Sequence, residues 1–160
     1  MSATTANFSQ IATPEQYLGY TYADEHGTTI GNKQGYSPGE TVDYTLPPTL
    51  QNNTVYLSGK WYNANNSMIA EGDSEILLIY KAKSVNVVAQ GNGSMITIDL
   101  DGKALTQAYL GSDDVLYPAG AIATISMARL YNVVDGPSYG WHELEIIASP
   151  GFRIYTFTFG

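Results

Sequence analysis

The sequence contains no cysteine and few basic residues. Because there is no thiol, disulfide bonds, thiolate metal sites and dithiol redox chemistry are excluded within this chain of 160 residues. Seven lysines and arginines stand against fifteen acidic residues, which gives a formal net charge of −8, and the basic residues are scattered. Since nucleic-acid binding requires clustered cations that replace the counterions of phosphates, nucleic acid is not an expected partner.

Long apolar runs are also missing. No segment approaches the ~20 apolar residues of a membrane-spanning helix, and no charged segment followed by an apolar core marks a signal peptide. Direct membrane insertion is therefore not expected, and the chain is interpreted as a cytosolic protein or as a piece of a longer, exported polypeptide. We assign residues 1–12 to a polar lead-in or linker and residues 13–160 to a single module.

What the sequence does contain is a series of short apolar segments separated by turn residues. The segment at 94–100 alternates apolar and polar residues in the manner of a strand with one buried face. Asp101 and Gly102 follow it and predict a tight hairpin turn. Roughly eight or nine such segments predict an all-β fold, a jelly-roll β-sandwich of two antiparallel sheets.

At most one short helix is predicted, near the N-terminus. Thr13 is a favourable N-cap residue, and Pro14 suits the first helical position. Gly19 would then end the helix.

The last strand is predicted to be part of the core. Tyr155, Phe157 and Phe159 share one parity, so in a regular strand they would form an aromatic ladder that faces inward. We expect this ladder to fix the strand in a sheet, beside a strand from near the N-terminus.

Seven segments resemble, in order, the C-terminal domain of DipZ-type proteins. They are QYLGY, LPPTL, NNTVYLSGKW, YKAKSVNVV, DLDGK, RLYNVVDGPSYGWHELEI and SPGFRIYTFTFG. DipZ-type proteins are bacterial membrane-anchored thiol–disulfide proteins. A membrane part similar to cytochrome c biogenesis proteins is joined to an extracytoplasmic thioredoxin domain and to this terminal module. The resemblance covers residues 17–160.

The resemblance implies a jelly-roll module similar to carbohydrate-binding modules, placed after a thioredoxin domain in the periplasm or at the cell surface. It also implies that the closing Phe-Thr-Phe-Gly is the natural end of the parent protein. Because the thioredoxin domain and its Cys-x-x-Cys motif are absent, thiol–disulfide exchange is not carried over to this chain. We therefore expect a noncatalytic binding module without a cofactor that recognises glycan. The alternative is a protein-interaction module that docks and positions the parent's thioredoxin domain or its client.

Sugar-binding modules stack pyranose rings on exposed aromatic side chains that are flanked by hydrogen-bonding residues. The segment DGPSYGWH predicts a rigid loop that presents Tyr139 and Trp141, with Asp135 at its edge. Trp141 departs from the family pattern, where a smaller or polar residue is expected. Tyr62 and Asn63 lie in a second predicted loop. These five residues are the candidate ligand-binding side chains; the alternative is a structural role, with Trp141 closing the end of the sandwich.

Aromatic residues also make contacts between domains, and Tyr17, Tyr20 and Tyr22 follow directly after the lead-in. We consider them for contact with a thioredoxin domain, with packing on the module's own core as the alternative. Structural calcium would need clustered oxygen ligands, for which Asp99 and Asp101 are considered. A hairpin turn already explains Asp101, so no metal is assigned.

A carbohydrate hydrolase is the third interpretation. Glu143 and Glu145 share one strand face two residues apart, whereas glycosidase carboxylates usually face each other across a cleft, ~5–10 Å apart. His26 and His142 have no serine or cysteine at a spacing typical of a nucleophilic triad. The sequence therefore favours binding over catalysis.

Overall fold

The computed structural model describes residues 11–160, which form eleven β-strands, one α-helix and a short 3-10 turn. In chain order they are β1 (Gln16–Tyr17), α1 (Tyr20–His26), β2 (Thr41–Tyr44), β3 (Val55–Asn63), β4 (Met68–Ala70), β5 (Ser74–Gln90), β6 (Ser94–Leu100), β7 (Lys103–Ala104), the 3-10 turn (Gln107–Tyr109), β8 (Asp114–Tyr117), β9 (Gly120–Ile125), β10 (Arg129–Ala148) and β11 (Arg153–Phe159). The predicted all-β class with one short α-helix is confirmed. Most of the predicted lead-in, residues 1–12, lies outside the described residues.

The helix begins where the sequence predicted that it would end. Gly19 precedes α1 with φ of 90°, and a Cβ there would collide with the backbone of Ser67, so the position requires glycine. Thr13 does not cap a helix: its hydroxyl donates to Asn53 Oδ1 (2.6 Å) and accepts from the Lys81 N–H (2.8 Å). The helix prediction for residues 13–19 is therefore wrong, because these long-range contacts override the local capping preference. No helix in residues 11–160 has the length and apolarity to cross a membrane.

Two long strands, β5 and β10, run antiparallel through the molecule. They pair from Ser74 opposite Ala148 to Ala89 opposite Arg129, with two interruptions of register. Buried and more exposed residues alternate along β5, β6 and the C-terminal half of β10. Their inward residues form the centre of the core and are fully buried: Ile76, Leu78, Tyr80, Ile96, Ile98, Leu144 and Ile146. Burying apolar surface stabilises a folded protein by roughly 25 cal/mol per Å², so these side chains are a principal source of its stability.

The strands form one hydrogen-bonded network in the order β1-β11-β4-β3-β5-β10-β6-β9-β8, with β2 added to β3 and β7 added to β6. β11 also pairs with β5, so that β5, β3, β4 and β11 close into a ring of four strands. This connectivity establishes a β-rich fold with a closed portion. The finer description, a jelly roll of two separate sheets, stays a prediction.

The hairpin turn between β6 and β7 is confirmed. Asp101 and Gly102 have φ of 55° and 77°, and positive φ at both central positions is characteristic of a type I′ turn. The strand that returns after the turn is short, because its pairing with β6 ends at Ala104.

β11 lies beside β1, as predicted, but it does not carry a uniform aromatic ladder. Between Ile154 and Thr156 the pairing with β5 shifts by one residue, so Tyr155 is the extra residue of a β-bulge. The bulge changes the alternation: Ile154 and Phe157 are fully buried, whereas Tyr155 is partly exposed. The inward ladder therefore consists of Phe157 and Phe159, whose rings stack with centroids 6.3 Å apart.

Replacing the buried ring of β11 tests this register. Phe157→Ala is expected to lower the free energy of unfolding by about 3–5 kcal/mol, because the whole ring is removed from the core. Tyr155→Ala should cost less than about 1 kcal/mol, because the side chain is partly exposed. Urea unfolding followed by tryptophan fluorescence measures both. Equal losses in the two variants would contradict the bulge.

Candidate functional site

Two predicted ligand-binding residues, Tyr62 and Asn63, do not lie in a loop. Both belong to β3, which pairs with β2 on one side and β4 on the other at this point. Asn63 is fully buried, and its Oδ1 accepts hydrogen bonds from the Ser37 N–H (3.1 Å) and the Tyr44 hydroxyl (3.3 Å). The predicted loop is wrong here, because the Asn63 amide is used inside the protein to hold the chain before β2 against β3.

The segment DGPSYGWH is also part of a strand, β10, and the prediction of a free loop is wrong. Its pairing with β5 is interrupted between Asp135 and Gly140, so that residues 136–139 face a single residue of β5. Asp135 is exposed and Tyr139 is partly buried. The glycines and the proline that suggested a loop instead produce a wide irregularity within a continuous strand.

Trp141 is the most accessible aromatic side chain of this segment. Regular pairing has resumed at this point, with Trp141 opposite Lys81 of β5. The side chain is 49% exposed, and no aromatic ring among the described residues packs against it. About half of this side chain is therefore accessible to solvent.

His142 faces the other side of β10 and contacts the hairpin turn. Its Nδ1 lies 2.7 Å from Asp101 Oδ2, while Asp101 Oδ1 accepts a hydrogen bond from the Glu143 N–H at 2.8 Å. Burial alone would raise the pKa of Asp101, but the hydrogen bonds with His142 and the Glu143 amide outweigh it and hold that pKa below its usual value. The carboxylate thereby fastens the β6–β7 turn to β10.

The aspartates considered as calcium ligands have separate surroundings. Asp101 bonds to His142, whereas Asp99 lies on β6 opposite Glu145. Within residues 11–160, no group of three or more histidine, aspartate or glutamate side chains could hold a metal ion.

Glu145 lies among other carboxylates on the outer face of the sheet. Glu143 is on the same strand, Asp99 is opposite on β6, and Glu75 interacts with Glu145 from β5. Burial, a hydrogen bond with Glu75 and repulsion by the neighbouring carboxylates raise the pKa of Glu145 to about 7. These groups are neighbours on one face and do not oppose each other across a cleft, so the arrangement differs from that of a glycosidase.

A groove of about 500 Å³ lies between α1, β1, β11 and the beginning of β10. Its volume is within the ~300–1,000 Å³ range of small-molecule sites. The side chains that carry its chemistry are Tyr17, Tyr22, His26, Arg129, Tyr155 and Thr156. We refer to it below as the aromatic groove.

Three rings form one wall of the aromatic groove. Tyr17 and His26 stack with centroids 3.7 Å apart, and Tyr22 meets their edges at 6.2 and 6.0 Å. Tyr22 and His26 are four residues apart in α1, so they lie on the same side of the helix. Two of the three tyrosines considered for interdomain contact are thus brought together. Tyr20 does not line the groove, and its N–H donates to the Ala64 carbonyl (3.4 Å).

Arg129 supplies a cation at the edge of the aromatic groove. Its guanidinium carbon lies 3.7 Å from the centroid of the buried Tyr131 ring, and its Nη2 lies 3.0 Å from Asp113 Oδ1. Nη1 donates to the Leu130 carbonyl at 2.9 Å. These contacts hold the guanidinium in one orientation.

Tyr155 enters the aromatic groove because of the bulge in β11. Its hydroxyl donates to Gln90 Oε1 at 2.7 Å. The Tyr17 hydroxyl donates to Glu15 Oε1 at 2.9 Å. Both phenol groups are therefore oriented by neighbouring side chains.

Of the six side chains that carry the chemistry of the aromatic groove, only Tyr17 and Tyr22 were predicted from the sequence to take part in recognition; His26, Arg129, Tyr155 and Thr156 were not. The spacing of four between Tyr22 and His26 was an available signal, but only for a helix placed after Gly19. Arg129 reaches the groove after a bend in the chain, and Tyr155 reaches it through the bulge in β11. Hydrophobic periodicity does not reveal either irregularity.

The aromatic groove and Trp141 are separate surfaces. Val88 lines the groove and Lys81 pairs with Trp141, and both belong to β5. At ~3.3 Å per residue, the seven positions between them correspond to ~23 Å.

Comparison with known proteins assigns the family. The model of the thioredoxin-like C-terminal domain family matches residues 13–160. Over 162 residues the chain is 29% identical to protein DipZ of Mycobacterium bovis and to protein DipZ of Mycobacterium tuberculosis. These matches cover 99% of this chain and 20% of each DipZ protein, so the chain spans about a fifth of their length. The chain belongs to the thioredoxin-like C-terminal domain family, and its resemblance to DipZ-type proteins is confirmed.

A solved structure shares part of the fold. A family two carbohydrate esterase from Cellvibrio japonicus matches with a TM-score of 0.50 and 13% sequence identity. The match covers 64% of this chain and 29% of the esterase chain. At this identity the likeness concerns the fold alone.

The carboxylate cluster gives a pH-dependent prediction. The pKa of Glu145 is about 7 in the folded protein, above its ordinary value of 4.5, so folding favours the protonated form. The stabilisation from this proton is present at acidic pH and is lost as the pH rises through about 7. Glu145→Gln is therefore expected to raise the free energy of unfolding by roughly 1 kcal/mol near pH 8, a value reduced for partial exposure, and to change it little near pH 5.

Urea unfolding at both pH values measures the effect of Glu145→Gln. Glu143→Gln is the matched control, because Glu143 lies exposed on the same face, and its effect should stay within about 0.5 kcal/mol. A gain for Glu145→Gln that is equal at the two pH values would show that loss of the charge is not its cause.

Proposed function

We propose that the chain is a noncatalytic carbohydrate-binding module, acting outside the cytoplasm as the C-terminal domain of a DipZ-type protein. Its glycan site would be the aromatic groove. The observation that carries the proposal is a groove of about 500 Å³ lined by three tyrosines, a histidine and an arginine. Tyrosine rings match the apolar faces of pyranose rings, while their hydroxyls and a guanidinium match sugar hydroxyls.

The polar atoms of the aromatic groove support this proposal because they are held in place before a ligand arrives. Gln90 orients the Tyr155 hydroxyl, and Glu15 orients the Tyr17 hydroxyl. Each phenol oxygen still has acceptor capacity for a ligand hydroxyl. Binding to such preoriented groups loses less conformational entropy than binding to mobile side chains.

The fold likeness supports a carbohydrate ligand, since the matching solved protein is named as a carbohydrate esterase. We propose binding without catalysis for this chain. His142 contacts Asp101, Tyr80 and Tyr109, and the hydrogen bonds of the described residues connect it to no serine. The thiol–disulfide chemistry of the parent protein would belong to its thioredoxin domain, and we assign neither a metal nor a cofactor to this module.

A second candidate function is docking of a thioredoxin domain on the same wall of the aromatic groove. The observation that favours it is the cluster of Tyr17, Tyr22 and His26 on β1 and α1. In a family described as a C-terminal domain, a preceding domain would join the module near these elements. Aromatic side chains are enriched at such interfaces.

Titration of the purified chain with sugars tests the glycan proposal. The panel consists of neutral tetrasaccharides of glucose, mannose, galactose and N-acetylglucosamine, measured by calorimetry. Tyr155→Ala is expected to weaken binding of the best member at least about tenfold, because it removes one wall of the groove. Trp141→Ala removes an exposed ring about 23 Å away along β5 and should leave the affinity unchanged.

Two results would contradict this glycan site. Absence of saturable binding across the panel would refute the carbohydrate-binding proposal. Loss of binding in Trp141→Ala with full binding in Tyr155→Ala would move the site to the irregular segment of β10, where Trp141 was first considered.

Docking is tested in a DipZ-type protein that contains both domains. Tyr22→Ala would loosen the contact, which NMR relaxation detects as more independent tumbling of the two domains. Unchanged relative tumbling, together with weakened sugar binding by Tyr22→Ala, would refute docking and retain the glycan site.

A further inference from the structure

We infer that the aromatic groove selects uncharged sugars over uronic acids, and that Asp113 sets this selectivity by neutralising Arg129. The inference rests on the proposed glycan-binding function and extends it to the class of sugar. The observation that carries it is the ion pair at the edge of the groove.

Arg129 is the only lysine or arginine among the described residues that line the groove. Its Nη2 lies 3.0 Å from Asp113 Oδ1. The second carboxylate oxygen, Oδ2, accepts a hydrogen bond from the Asn132 N–H at 2.8 Å. Because both oxygens are engaged, Asp113 cannot turn away from Arg129 without breaking its bond to β10.

The Asp113 carboxylate is charged at neutral pH. Burial alone would raise its pKa, but the hydrogen bonds with Arg129 and the Asn132 amide outweigh burial and hold the pKa below its usual value. The ion pair therefore has a net charge of zero. A ligand carboxylate that approaches Arg129 meets the negative charge of Asp113 within a few ångströms.

Neutral hydroxyls can still use the guanidinium. Side-chain exposure is 44% for Arg129 and 24% for Asp113, so the arginine is the more accessible partner. A guanidinium has five N–H donors, and the contacts with Asp113 and the Leu130 carbonyl do not use all of them. The remaining N–H groups can donate hydrogen bonds to the oxygen of a sugar hydroxyl. Because the hydroxyl is uncharged, the negative charge of Asp113 does not repel it.

Negative side chains lie on or next to the elements that form the groove. Glu15 accepts the hydrogen bond of the Tyr17 hydroxyl, and α1 carries Asp24 and Glu25 on its exposed surface. The whole chain has a formal net charge of −8. This field disfavours the approach of anionic sugars and has little effect on neutral ones.

Matched sugars provide the test. Each neutral tetrasaccharide of glucose, mannose and galactose is compared with its C6-oxidised tetrauronate by calorimetry at low ionic strength. The wild-type chain is expected to bind the neutral member at least about tenfold more tightly. Asp113→Asn keeps the size of the side chain and an oxygen for the Asn132 N–H, but it leaves Arg129 uncompensated.

Asp113→Asn is expected to raise uronate affinity at least about tenfold and to change neutral-sugar affinity by less than about threefold. The gain should shrink at high salt, because it depends on an exposed cation. Adding Arg129→Gln to Asp113→Asn should abolish the gain. Arg129→Gln alone leaves Asp113 uncompensated and should weaken uronate binding further, which tests the inference even where Asp113→Asn does not fold.

Three results would count against the inference in different ways. If the wild-type chain binds uronates as tightly as neutral sugars, the inferred selectivity is wrong, but the glycan-binding proposal is retained. A folded Asp113→Asn variant without a gain in uronate affinity overturns the role of Asp113. Absence of binding to every neutral and charged sugar overturns the proposed function, and this inference with it.

Discussion

Hydrogen bonding between β5 and β10 determines where the other elements of the protein lie. β3 and β11 attach to the free edge of β5, and β6 attaches to the free edge of β10. Inward side chains such as Leu78 and Leu144, which face each other across this pair, fix its register. A slip by one residue would move the whole apolar set of a strand to the opposite face, so burial specifies the pairing strongly.

The two candidate recognition surfaces lie where this pairing departs from regularity. The interruption between Asp135 and Gly140 lies directly before the exposed Trp141. The bulge at Tyr155 gives the aromatic groove one of its rings, and Arg129 enters it at the first residue of β10. Regular strand pairing stabilises the fold, and the interruptions of this pairing turn individual side chains toward the surface. β-Bulges near functional sites commonly redirect side chains in this way.

Local features were therefore predictable from the sequence, and features that depend on distant contacts were not. The alternation in β6 and the turn at Asp101 need only neighbouring residues, and both are as predicted. The helix was misplaced because Thr13, the expected N-cap, bonds instead to Asn53 and Lys81, far along the chain. Asn63 was placed in a loop because asparagine is typical of solvent-exposed loops. Here its buried side chain accepts hydrogen bonds from a backbone N–H and a hydroxyl, and the sequence alone does not distinguish the two situations. The aromatic groove joins residues 17–26 with Arg129 and Tyr155, so no single window of sequence contains it.

The two candidate functions place different demands on the same wall. Docking of a domain on Tyr17, Tyr22 and His26 would cover the rings that a glycan needs, so the groove could not serve both partners at once. Trp141, about 23 Å away along β5, is not subject to that competition. A domain held at the groove would leave Trp141 exposed, whereas a glycan in the groove would require a preceding domain to sit elsewhere. In a protein that contains both domains, the position of the thioredoxin domain relative to β1 and α1 would therefore decide which of the two candidate surfaces is accessible.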